Sequence, residues 1–175
     1  MARKKDVLPD FSKRLATLLY YEKTPYWKLG NEIGIERKCF TFWIYGYSLP
    51  DAWTVRWLAV RFSVSADWLL GLISERKKVT FENSELEHYK CGDFSRDEKK
   101  NDLSVFRDRL KRALTDRGIS KSILADRLGR DRKTIFCWFN GSTIPNAFML
   151  RELAGFFHVS ANWLLGLSDR VDGEL

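Results

Sequence analysis

Between Leu103 and Leu114, apolar side chains fall at 103, 106, 110, 113 and 114, the three-and-four spacing that gathers them on one face of a helix. Gly118 stands just beyond, where a left-handed C-terminal cap belongs. The same logic predicts four more helices. Ser120 caps a second, with Leu124, Ala125 and Leu128 inward and Gly129 at its end, and Asp131 caps a third, with Ile135 and Trp138 inward and Gly141 as its stop. Asn146, after Pro145, opens a fourth through Phe157, and Ser160 caps a fifth ending near Gly166. No alternating strand pattern occurs, so the predicted fold class is all-α.

The pattern recurs upstream at a fixed offset of 95 residues without a gap. Phe11 pairs with Phe106, Leu15 with Leu110, Gly34 with Gly129, Trp43 with Trp138, Gly46 with Gly141 and Pro50 with Pro145, and VSADWLLGL answers VSANWLLGL. Residues 11–74 and 106–169 share 24 identities in 64 positions, far more than chance gives, so the chain reads as a tandem duplication. Copy one is expected to use Thr24 with Pro25 as N-cap and first helical residue, Glu36 for the third helix, Asp51 for the fourth and Ser65 for the fifth. The predicted organisation is domain one over 1–75, a polar linker over 76–104 and domain two over 105–175. The linker carries seven residues of each charge and is assigned a short helix around Ser84 to Tyr89 and a helical start near Ser95.

Charge changes the picture modestly. With 30 Lys and Arg against 23 Asp and Glu the formal charge is +7, which favours polyanionic partners without proving contact. Residues 105–170 hold 12 basic and 6 acidic groups, 1–75 hold 11 and 8, so copy two is the more basic. Three well-separated cysteines, Cys39, Cys91 and Cys137, do not form a disulfide framework and point to a reducing cytoplasm. The opening MARKKDVLPDF lacks the apolar run of a secretory signal, and no stretch is apolar enough to span a bilayer, so no membrane role is expected.

The segment ILADRLGRDRKTIFCWFNGSTIPN, followed by LRELAGFFHVSANWLLGL, resembles the Cro and lambda-repressor type helix-turn-helix family, the XRE family. Copy one resembles it more loosely through KLGNEIGIERKCFTFWIYGYSLPD and LAVRFSVSADWLLGL. The resemblance implies two five-helix lambda-repressor-like domains and double-stranded DNA as partner. It places Lys121, Arg132, Lys133 and Cys137 of copy two, and Tyr26, Arg37, Lys38 and Phe42 of copy one, at the family's DNA-facing positions. An arginine at the tip of a helix in the major groove can hold guanine O6 and N7 together, so half-sites sharing a guanine are expected. They should differ nearby, where Thr134 and Cys137 stand opposite Cys39 and Phe42. Asn140, Ser142 and Thr143 resemble the family's phosphate-contacting turn, with Tyr45 to Ser48 as counterpart. Many relatives join the first and third helices by an ion pair; here Leu114 with Phe139, and Leu19 with Ile44, replace it by apolar pairs.

Blander readings compete at each position. Trp43, Trp68, Trp138 and Trp163 are expected in the core, whereas Trp27, Trp53 and Trp57 have no tryptophan counterpart and suggest an extra aromatic surface against copy two or a second chain. His88 with Cys91 is half a zinc site with no second half, so no metal and no cofactor are expected. His158 reads as a surface residue, and Arg3, Lys4 and Lys5 as a solvated tail rather than a groove-reaching arm. No nucleophile comes with a base, which argues against an enzyme. The leading expectation is a bacterial or phage repressor acting as an intrachain pseudo-dimer, or as a homodimer through the fourth and fifth helices. The rival is a protein-binding inhibitor, such as an antitoxin, an anti-CRISPR protein or an anti-repressor, that uses the aromatic surface of Phe42, Tyr45 and Tyr47 and of Phe136.

Overall fold

The second half of the chain starts its helices where short polar side chains can accept a backbone N–H. In the computed structural model, which describes residues 6–76, 78–80, 98–99 and 103–171, Ser120 accepts from Ile123, Asp131 from Lys133, Asn146 from Met149 and Ser160 from Trp163. Each cap opens a helix, and ten helices occur among the described residues. The first five are α1 (Pro9–Tyr21), α2 (Tyr26–Glu32), α3 (Arg37–Ile44), α4 (Ala52–Arg61) and α5 (Ala66–Leu69). The second five are α6 (Ser104–Asp116), α7 (Lys121–Leu128), α8 (Arg132–Asn140), α9 (Ala147–Phe157) and α10 (Ala161–Leu164). No β-strand accompanies them among the described residues, which hold only isolated bridges.

Every helix start in the second set lies 95 residues after its counterpart, and the backbone repeats at finer grain. All positive-φ residues fall into pairs at that spacing: Lys23 with Gly118, Gly34 with Gly129, Gly46 with Gly141, Ser63 with His158 and Gly71 with Gly166. Ser63 and His158 adopt φ 50° and 48°, a left-handed cap that costs a non-glycine residue energy yet is taken at both positions. The inward faces also agree with the predicted ones, since Phe106, Leu110, Leu124, Ala125, Ile135, Trp138 and Trp163 are buried, with Leu128 half-buried against the core. Phe139 and Leu19 are buried, with Leu114 and Ile44 packed against the core, so the apolar residues expected at these positions lie in or against the core in both sets.

Two caps of the first set differ from expectation. Pro25 precedes α2 without entering it, and the Thr24 hydroxyl donates to the Glu22 carbonyl instead of receiving a helix N–H. Glu36 precedes α3 but makes no cap bond, and its carboxylate turns to Lys38 at 2.7 Å. Asp51 and Ser65 do cap their helices. The surplus tryptophans divide: Trp53 and Trp57 are fully buried, whereas Trp27 is 51% exposed, so the three do not form one surface. The basic tip Arg3 to Lys5, the helices assigned around Ser84 to Tyr89 and Ser95, and His88 with Cys91 lie outside the described residues.

The two sets meet through α4 and α5 against α9 and α10. Ala52 donates to the Pro145 carbonyl and Ala147 to that of Pro50, both at 2.8 Å, so each partner's role is exchanged by the 95-residue shift. Asp67 accepts from the Ala161 amide at 2.6 Å, and its counterpart Asn162 accepts from the Ala66 amide at 2.8 Å. Such reciprocity is the mark of an isologous contact about a local two-fold axis. The fourth- and fifth-helix face that a homodimer would use is thereby covered within one chain.

Inside each set an arginine ties the first helix to the end of the fifth. Arg14 donates to the carbonyls of Trp68 and Ile73, and Arg109 to those of Trp163 and Ser168, each with its guanidinium over the indole. Burial draws the Arg14 pKa below its ordinary value, against the opposing pull of Asp10.

Candidate nucleic-acid interface

Helices α7 and α8 are joined by Gly129, Arg130 and Asp131. Gly129 turns the chain at φ 60°, and the Arg130 amide closes the turn on the Ala125 carbonyl at 2.9 Å. Ile135, Trp138 and Phe139 hold α8 to the core, which leaves Arg132, Lys133, Phe136 and Asn140 exposed. Thr134 and Cys137 are half-buried and line, with Lys133 and Thr143, a groove of about 680 Å³ along the helix. No ion pair engages the side chains of Arg132 or Lys133 among the described residues. Both cations therefore project from the helix tip.

Lys121, at the start of α7, is placed differently from a free cation. Its ammonium lies 4.7 Å from the ring centre of Phe139 and 5.4 Å from that of Phe136, so it is braced on α8 itself. Beyond α8, Asn140 Oδ1 accepts from the Ser142 amide at 2.9 Å and from its hydroxyl at 2.6 Å. Thr143 donates its amide to the Cys137 carbonyl at 3.3 Å. The turn is thus held open with Ser142 and Thr143 exposed.

In the first set the corresponding positions are chemically busier. The Arg37 guanidinium lies 5.3 Å above the Tyr26 ring and its Nη2 donates to the phenol oxygen at 3.3 Å. That hydrogen bond, followed by the guanidinium charge, holds the Tyr26 pKa below its ordinary range. Lys38 is paired with Glu36, whose hydrogen bond and charge raise the lysine pKa. Phe42, Tyr45 and Tyr47 are 43%, 69% and 62% exposed and form a loose aromatic group, with ring centres 6.1 Å apart for Phe42 and Tyr47 and 6.2 Å for Tyr45 and Tyr47. The turn into α3 is also tighter, because a Cβ on Gly30 would meet the Ile35 carbonyl oxygen at 2.5 Å, whereas the second set carries Ala125 there.

All the DNA-facing candidates of the second set therefore gather on α7, α8 and the turn after it, and those of the first set on α2, α3 and its following turn. One participant was absent from the sequence reading. Arg130 Nη2 donates to both carboxylate oxygens of Asp6 at 2.6 Å, and Asn146 Nδ2 adds a bond at 3.2 Å, so the segment before α1 is pinned to the turn of the opposite set. No local signal links residues 124 apart in sequence. Asp6→Ala should leave a largely buried guanidinium unpaired and cost about 1–3 kcal/mol. The expected readout is a melting temperature lower by about 2–12 °C in a thermal scan.

A glycine turn between two short helices, with the second presented outward by three supporting helices, defines a helix-turn-helix unit. Residues 110–164 match the helix-turn-helix family model, from within α6 to the last residue of α10. The match makes that segment similar to helix-turn-helix domains and supports DNA binding by a regulator of that kind. Neither the curated proteins nor the solved structures contain a match to the chain. No helix among the described residues is long and apolar enough to cross a membrane.

Proposed function

We propose that the chain is a cytoplasmic, non-enzymatic repressor of bacterial or phage type, built as a tandem duplication, that occupies an operator in double-stranded DNA and blocks polymerase. Its two reading helices, α3 and α8, engage the two halves of an imperfect palindrome about one helical turn apart. The observation that carries this reading is the reciprocal packing of α4 and α5 on α9 and α10. It relates α3 and α8 by one local axis, which supports a single chain acting as a pseudo-dimer. Arg37 and Arg132 at the helix tips suit guanine, and the turns around Tyr45 and around Ser142 suit phosphate.

Selection of bound sequences from a random DNA pool supplies the operator, and titration with salt tests the mode of binding. Neutralising six to ten phosphates should cost roughly 10³–10⁵ in affinity between 50 and 200 mM salt. A flat salt response would count against a phosphate-bound complex.

A second reading rests on the exposed group of Phe42, Tyr45 and Tyr47 together with the internal engagement of Arg37 and Lys38. In it, the second set binds DNA while the first offers its aromatic face to another protein. Separate charge reversal at the two helix tips discriminates between the readings.

A further inference from the structure

The contact between α5 and α10 is reciprocal in geometry but not in chemistry. Asp67, only 3% exposed, accepts from Ser160 Oγ at 2.6 Å, from the Ala161 amide at 2.6 Å, and from Asn162 Nδ2 at 2.9 Å. Asn162 mirrors it: Oδ1 accepts from the Ala66 amide at 2.8 Å, while Nδ2 donates to Ser65 Oγ at 2.8 Å and to Asp67. Serine and alanine recur on both sides, so the two sets differ at the centre of this network by a carboxylate against a carboxamide.

That difference decides which halves can pair. Two first sets brought together on this face would set one Asp67 against another where Asn162 Nδ2 now donates. Two acceptors would then lie at about hydrogen-bond distance in a buried interface, where both carboxylates cannot stay ionised without a large cost. Two second sets would set amide against amide, which is neutral but gives up the charge-assisted bond. Only the unlike pair sets a carboxamide donor against a carboxylate. From this we infer that Asp67 with Asn162 is the specificity determinant of the interface, opposing the pairing of two first sets and favouring first set with second over two second sets. Taken with the proposed function, it means that each bound unit presents one of each reading helix. The operator is then asymmetric by construction.

The full-length chain tests this directly, because Asn162→Asp recreates the contact of two first sets and Asp67→Asn that of two second sets. Asn162→Asp is expected to lower the melting temperature by roughly 6–20 °C, the size expected for an uncompensated buried charge in a chain of this length. Asp67→Asn should lower it less. The exchanged double variant, Asp67→Asn with Asn162→Asp, restores one of each group and should recover most of the loss. An Asn162→Asp protein as stable as the original overturns the inference, and so does a double variant no better than Asn162→Asp. If Asn162→Asp does not fold, the double variant decides alone: a folded protein supports the pairing rule and an unfolded one refutes it. Melting is read without DNA, so failure here is distinct from failure of the operator reading.

Discussion

Reversal of both cations at the tip of α8, Arg132→Glu with Lys133→Glu, is expected to weaken binding to the selected operator at least about a hundredfold. An arginine bidentate to guanine contributes about 1–3 kcal/mol of discrimination, and every 1.4 kcal/mol is tenfold. The double variant removes two positive charges and adds two negative ones where the duplex would approach, and the repulsion adds to the lost contacts. Both side chains are exposed without an ion-pair partner among the described residues, and the Asp131 cap bonds the backbone of Lys133, which the substitution keeps. Melting should therefore stay within a few degrees of the original. The same reversal at Arg37 and Lys38 should cost less, about tenfold. Arg37 must first leave Tyr26 and Lys38 must leave Glu36, so less of their charge is ready for DNA. Fluorescence anisotropy at fixed salt measures both. Unchanged affinity in the α8 variant would refute DNA reading by that helix, and loss confined to it would favour a protein-binding role for the first set.

What the sequence revealed follows the range of the interactions involved. The caps of α7 to α10 were legible because Ser120, Asp131, Asn146 and Ser160 bond amides two or three residues away. Thr24 and Glu36 misled for equally local reasons: the threonine hydroxyl had a nearer carbonyl, and the glutamate stem reached a lysine two residues on. On α8 the helical period gave the inward Ile135 and Trp138, whereas the outward Arg132 and Lys133 were picked out by the resemblance. The clasp of Asp6 on Arg130 and the exchange of Asp67 with Asn162 were not legible, since both join residues more than ninety apart through surfaces that exist only after the sets dock. Arg14 and Arg109 lay between these cases: their identity across the repeat was visible, but their task of holding the ends of α5 and α10 was not. The surplus of tryptophan in the first set was a countable fact, while its division into buried Trp53 and Trp57 and exposed Trp27 depended on tertiary packing.

Truncation of that core should have a large effect on stability. Trp57 is fully buried on α4, where the second set carries the half-buried Glu152, so the first set relies on an indole that its counterpart does without. Replacing a buried tryptophan by alanine typically costs 3–5 kcal/mol, a large share of the roughly 5–15 kcal/mol that holds a folded protein together. For a chain of this length Trp57→Ala should lower the melting temperature by about 6–20 °C. The same helix begins at Ala52, whose amide bonds Pro145 of the second set, so loosening α4 weakens the first core and the contact between sets together. Calorimetry should accordingly show one transition moved down in temperature. Two separate transitions, with only the first displaced, would mean that the sets melt independently and that the reciprocal contact between them adds little to stability.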